Sequence, residues 1–179
     1  SIMWKIPLFD LSFGEEEKDA VLGVLSSKWL TMGAKTKEFE SGFAEYHGNK
    51  IHCCAVSSCT AALHMALLLN NIKAGDEVIV PALTFVAALN VVELVGATPV
   101  PADSKSLEDW NVSYEDVASK ITKKTKAIIV VHFAGYPCDI DKIVKLARDR
   151  GIILIEDVAH AIGAEYEGQK CGTFGDIAC

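Results

Sequence analysis

Three stretches carry residue types that could do chemistry together. The run Gly151-Ile152-Ile153-Leu154-Ile155-Glu156-Asp157 closes an apolar segment with two acids. Consecutive apolar residues between Gly and acids fit a strand covered on both faces, and ligands of open α/β sheets gather beyond the carboxyl ends of such strands. Asp157 is therefore the first candidate for a functional carboxylate; the plainer reading makes Glu156 and Asp157 the start of a loop or a cap. The second stretch is Val56-Ser57-Ser58-Cys59-Thr60-Ala61-Ala62-Leu63-His64. Small hydroxyl residues lead into a helix whose free amides and positive dipole end suit a phosphate, with Ser58 or Thr60 adding hydroxyl bonds. The same pattern also fits an ordinary N-cap. It has neither the Lys of a P-loop nor the Gly spacing of a dinucleotide fingerprint, which argues against nucleotide hydrolysis and nicotinamide binding. The third stretch is Val80-Pro81-Ala82-Leu83-Thr84-Phe85, where an aromatic follows a strand end and either packs into the core or offers a stacking face. A phosphate cradle, a ring and a carboxylate at one sheet edge suit a flat, phosphorylated, basic heterocycle.

Hydrophobic patterning and Gly/Pro punctuation give the elements that must position these residues. Helices are expected at residues 14–27, 36–47, 60–69, 85–95, 114–121 and 140–150, and strands at 51–56, 77–81, 98–101, 126–132 and 152–155. Strands alternating with helices of this length imply an α/β fold with a mostly parallel central sheet in three α/β/α layers. Residues 102–112 read as a polar connection. Glu167-Gly168-Gln169-Lys170 reads as a surface hairpin turn, so Lys170 is not promoted to a catalytic role.

Composition limits the function classes. With 179 residues, 50% of them hydrophobic and 23% charged, the chain can bury one sizeable core but is too polar along its length to span a membrane. A net charge of -7 and a pI near 5.2 argue against a nucleic-acid partner, and the one basic cluster, Lys120 to Lys126, reads as a solvated segment before a strand. Six cysteines without a C-x-x-C pair, and no obvious leader, are read as reduced thiols in the cytoplasm; Cys53-Cys54 fit packing positions. No metal site is assigned.

In order along almost the whole chain, the motifs resemble the DegT/DnrJ/EryC1/StrS sugar aminotransferases. The resemblance rests on Gly33 with Thr36 and Phe39-Glu40, on Ser57 to His64, Gly75 to Pro81 and Thr84 to Ala87. It continues through Gly96 to Val100, Val131 to Gly135, Glu156 to Ala164 and Gly172 to Asp176. These relatives are fold-type I enzymes that use pyridoxal phosphate. The resemblance implies that Asp157 pairs with the pyridine nitrogen and Phe85 stacks on the ring. It also implies that Thr60 and Ala61, with Ser58 before them, hold the phosphate, and that His160 lies near the cofactor's phenolic oxygen. Cys59 receives no catalytic role. Val131-His132-Phe133-Ala134-Gly135 is similar to members acting at sugar carbon 4.

The implied reaction moves an amino group, usually from glutamate, to a keto group of a nucleotide-linked sugar, in a homodimer with active sites at the subunit interface. Residues 1–35 are expected to form an N-terminal helical segment and 36–179 the N-terminal part of the large cofactor-binding domain. By the family pattern the Schiff-base Lys lies roughly eight residues past Cys179, and the small C-terminal domain also lies beyond it. The 179-residue chain alone is therefore expected to be inactive. Two alternatives stay open: a family sugar 3-dehydratase with His in place of that Lys, and a noncatalytic or regulatory protein that keeps the fold.

Overall fold

The computed structural model describes residue 6 and residues 10–48 and 51–179. Its centre is a sheet of five parallel strands in the order β2-β1-β3-β4-β7. These are β1 (Glu77–Pro81), β2 (Thr98–Ala102), β3 (Thr125–Val131), β4 (Ile153–Asp157) and β7 (Ile177–Ala178). Between β4 and β7, β5 (Glu165–Tyr166) and β6 (Gln169–Lys170) form an antiparallel hairpin. Its turn places Glu167 and Gly168 at φ 50° and 79°, the paired left-handed backbone of a tight two-residue hairpin. The ammonium of Lys170 lies 4.2 Å from the centre of the Tyr46 ring and 3.2 Å from Glu165, as a surface pairing.

Parallel neighbours require crossovers, and helices supply them. They are α4 (Ala87–Leu94) after β1, α5 (Tyr114–Ser119) after β2 and α6 (Ile140–Arg150) after β3; α1 (Glu15–Ser27), α2 (Ala34–Tyr46) and α3 (Cys59–Leu69) precede the sheet. The chain steps from β1 outward to β2, then returns to place β3 on the other side of β1. The carboxyl ends of β1 and β3 therefore form the switch point where connections diverge and an open α/β sheet has its crevice.

Strand alternation sorts the core into two layers. Val78, Val80, Ala127, Ile129 and Ile155 pack with Leu63, Ala66 and Leu67 of α3 and Ala88, Val91 and Val92 of α4. The intervening residues Ile79, Ile128, Val130 and Leu154 pack with Val117 of α5 and Ile140, Ile143 and Ala147 of α6. The three-layer α/β/α arrangement follows directly. Helices α1 and α2 contribute no buried residue. Ile129 lies in the middle of the sheet and is sealed from solvent. Ile129→Ala is expected to cost about 2–5 kcal/mol, the usual range for a buried aliphatic truncated to Ala, read as a lower urea midpoint at unchanged slope.

One expected strand is absent. Residues 51–56 form no strand, although their burial alternates between half-buried and exposed. A strand needs a hydrogen-bonded neighbour, and among the described residues none of the sheet strands lies beside this segment. Its Ala55 amide donates instead to Glu40 Oε1 at 2.8 Å. Cys54 is exposed rather than packed; only Cys53 is half-buried. The helix expected at 85–95 starts at Ala87, which leaves Phe85 in the turn before it.

Candidate functional site

The alternation that builds the core also separates the two acids. Asp157 shares the sheet face of Ile155 and α3, whereas Glu156 shares that of Leu154 and α6. Asp157 is 7% exposed at the carboxyl end of β4. Its Oδ1 accepts the amide of Ala159 at 3.0 Å and faces the Cys59 thiol at 3.5 Å. Among the described residues no donor reaches Oδ2. Among the described residues no fully buried side-chain oxygen lacks a partner, so Oδ2 is not sealed from solvent. One oxygen is thus fixed by the protein and the other is left to accept a donor from a ligand.

Cys59 is the first residue of α3, so its contact brings the amino end of that helix against Asp157. The Cys59 thiol is pushed up to about 12 by burial and then by the neighbouring Asp157 carboxylate. It therefore stays protonated and can donate to Oδ1. Cys179, just past β7 and in the same core layer as Cys59, is likewise pushed up to about 12 by burial and Asp157. Sequence reasoning gave Cys59 no role, and its contact with Asp157 spans 98 residues of chain, beyond any local signal.

At the same helix end Ser58 is the N-cap, and its Oγ accepts the Ala61 amide at 3.1 Å. The N-cap reading of Ser58 therefore holds in this structure. The amides of Cys59 and Thr60 have no acceptor within the first helical turn. The dipole end, those two amides and the hydroxyls of Ser58 and Thr60 form a cradle for an anion.

Phe85 is 71% exposed, so it is no part of the core of these 179 residues. It follows β1, and β3 separates β1 from β4. Strand spacing of about 4.8 Å sets the ends of β1 and β4 roughly 10 Å apart across the switch point. His160 is exposed, and its Nδ1 accepts the Ala134 amide at 3.3 Å. In the neutral ring the proton then sits on Nε2, which leaves a donor. The loop that holds His160 needs Ala134 and Gly135 at φ 52° and 87°, and a Cβ on Gly135 would meet the His160 carbonyl at 3.1 Å. Phe133 packs edge-on to His160, with ring centres 5.9 Å apart. Among the described residues no His, Cys, Asp and Glu cluster could hold a metal ion, and no helix is long and apolar enough to cross a membrane.

A GDP-perosamine synthase from Escherichia coli O157:H7 is 45% identical over 174 residues, which cover 97% of this chain and 47% of that protein. An uncharacterised protein of Methanocaldococcus jannaschii is 48% identical over 171 residues, 96% of this chain and 44% of its own. The chain thus spans less than half the length of these relatives. Among solved structures, the aminotransferase TlmJ from Streptoalloteichus hindustanus superposes with a TM-score of 0.91 at 39% identity, covering 97% of this chain and 47% of that one. A candidate sugar aminotransferase from Streptococcus pneumoniae, solved in PLP and PMP forms, gives 0.90 at 34% identity, with 98% of this chain and 48% of that one covered. The model of the DegT/DnrJ/EryC1/StrS aminotransferase family matches residues 12–179, and the chain belongs to that family.

Proposed function

We propose that the complete protein is a pyridoxal-phosphate-dependent aminotransferase that moves an amino group from an amino acid, glutamate, to a keto group of a nucleotide-linked sugar. The observation that carries this reading is the open Oδ2 of Asp157 beside the amino end of α3. A carboxylate with one free oxygen fits a protonated ring nitrogen, and a helix amino end with uncapped amides fits a phosphate. The residues present therefore fit the cofactor.

When bound, the cofactor supplies a ring that draws electrons from the carbon losing a proton. Asp157 Oδ2 holds a proton on the ring nitrogen, while Ala159 and Cys59 hold Oδ1 still. The free amides of Cys59 and Thr60 and the hydroxyls of Ser58 and Thr60 would bind the phosphate, and Ala61, whose amide goes to Ser58 Oγ, would line the cradle with a side chain small enough to let the anion approach. Phe85 covers one ring face, and Nε2 of His160 donates toward the phenolic oxygen. The fold containing residues 36–179 acts as the first part of the large domain, in a homodimer, in the cytoplasm where buried Cys138 and Cys171 remain thiols.

The test incubates the complete protein with pyridoxal phosphate, glutamate and a panel of nucleotide-linked keto sugars. Stoichiometric release of 2-oxoglutarate with an aminated sugar is expected. Loss of water from the sugar without amino transfer would identify the dehydratase alternative, and neither product would favour the regulatory one. Phe85→Ala is expected to weaken pyridoxal phosphate binding about tenfold, in line with about 0.5–1.5 kcal/mol for an aromatic contact. Its exposed position keeps the stability change within about 0.5 kcal/mol. Equal affinity together with a large fall in melting temperature would make Phe85 a packing residue after all.

A further inference from the structure

Glu156 is sealed in the layer opposite Asp157, and so is His132, both at 0% exposure. Four donors meet this one carboxylate. Oε1 accepts the amides of Phe174 at 2.8 Å and Gly175 at 2.7 Å. Oε2 accepts the amide of Gly172 at 2.8 Å and lies 3.0 Å from His132 Nε2. His132 Nδ1 accepts the Cys138 amide at 3.2 Å, so the neutral ring carries its proton on Nε2 and points it at Glu156. Two carboxylate oxygens offer about four lone-pair sites, and all four are matched.

The geometry points to Glu156 as a positioning residue that clamps the Gly172–Gly175 turn onto β3 and β4 and so steers β7 past Asp157. Beyond the turn, Asp176 joins Leu154 through both its amide and its carboxylate, each at 2.9 Å. Cys179 then exchanges backbone bonds with Glu156 and Val158, both at 2.8 Å, which sets it beside Asp157. The turn itself has no slack, since a Cβ on Gly175 would lie 2.7 Å from the Leu154 carbonyl. Only an acceptor on both oxygens satisfies the cluster. An amide placed there sets its NH₂ against two donors in either orientation. Burial alone would raise the Glu156 carboxyl, but the bonds from His132, Gly175, Gly172 and Phe174 outweigh it and hold it below its ordinary value of 4.5. A depressed value in the folded state means stability that is present above about pH 4.5 and lost as pH falls through the folded value.

This role rests on the proposed aminotransferase reading only where turnover is measured. The test compares Glu156→Gln with the parent in the complete protein, by amide exchange and by steady-state kinetics. Exchange at Gly172, Phe174, Gly175 and residues 177–179 is expected to speed at least tenfold, while α3 and α4 keep their rates. The kcat per cofactor-loaded molecule should fall about tenfold or more with KM for the donor unchanged. In the variant, the loss of stability as pH falls below about 4.5 should shrink. His132→Phe removes one donor of four at similar shape, and should give smaller shifts at the same amides if Glu156→Gln does not fold. A uniform rise in exchange across the sheet, or unchanged kcat, would overturn the positioning role. A complete protein without aminotransfer would sink the functional reading but leave the exchange result to decide the clamp.

Discussion

Asp157→Asn in the complete protein lowers kcat by on the order of 10²–10³-fold, the scale of removing one preorganised electrostatic partner. The substitution changes little else. The Asn carbonyl can take the place of Oδ1 and keep the Ala159 amide and the Cys59 thiol as partners. Its NH₂ then occupies the position of Oδ2, where a proton acceptor has become a donor. A ring nitrogen facing that donor cannot keep its own proton, and the electron-accepting ring is lost. The fold loses no packing, because the two side chains have nearly the same volume, so the melting temperature moves by only a few degrees. Turnover at the parent rate would remove Asp157 from the chemistry.

Thr60→Asp separates a helix cap from a phosphate site. As a cap residue, an acid in the first turn of α3 interacts favourably with the helix dipole and stabilises by about 0.3–1 kcal/mol. As part of an anion cradle, the same acid faces the phosphate. Two like charges about 4 Å apart near a protein surface repel by about 4 kcal/mol, so pyridoxal phosphate affinity should fall at least a hundredfold. Isothermal titration and thermal melting on one sample read both effects. Lost affinity with an unchanged or raised melting temperature supports the cradle; unchanged affinity leaves α3 with a plain cap.

Much of this arrangement was legible in the residues. Buried parallel strands are continuous apolar runs closed by Gly or acids, which is why β1, β3 and β4 were readable to within a residue or two. α6 matched its expected span because Gly151 caps it in the left-handed region at φ 63°. Residues 51–56 misled for a physical reason: alternation reports two faces, not the presence of a neighbour, and no neighbour stands beside them among the described residues. The site was legible as residue types at strand ends, but not as contacts. Glu156 and Asp157 are adjacent in sequence and act on opposite faces, so reading them as a pair hid the buried carboxylate. Its partners at 172–175 come 16 to 19 residues later and bind through backbone amides, which no side-chain pattern announces.

A crystal structure of the complete protein soaked with pyridoxal phosphate tests the role of Asp157 most directly. The pyridine nitrogen is expected within about 2.6–3.2 Å of Asp157 Oδ2, hydrogen-bond reach, and the phosphate on the amides that open α3. Cofactor bound elsewhere, or bound here with Oδ2 facing only water, would contradict that role.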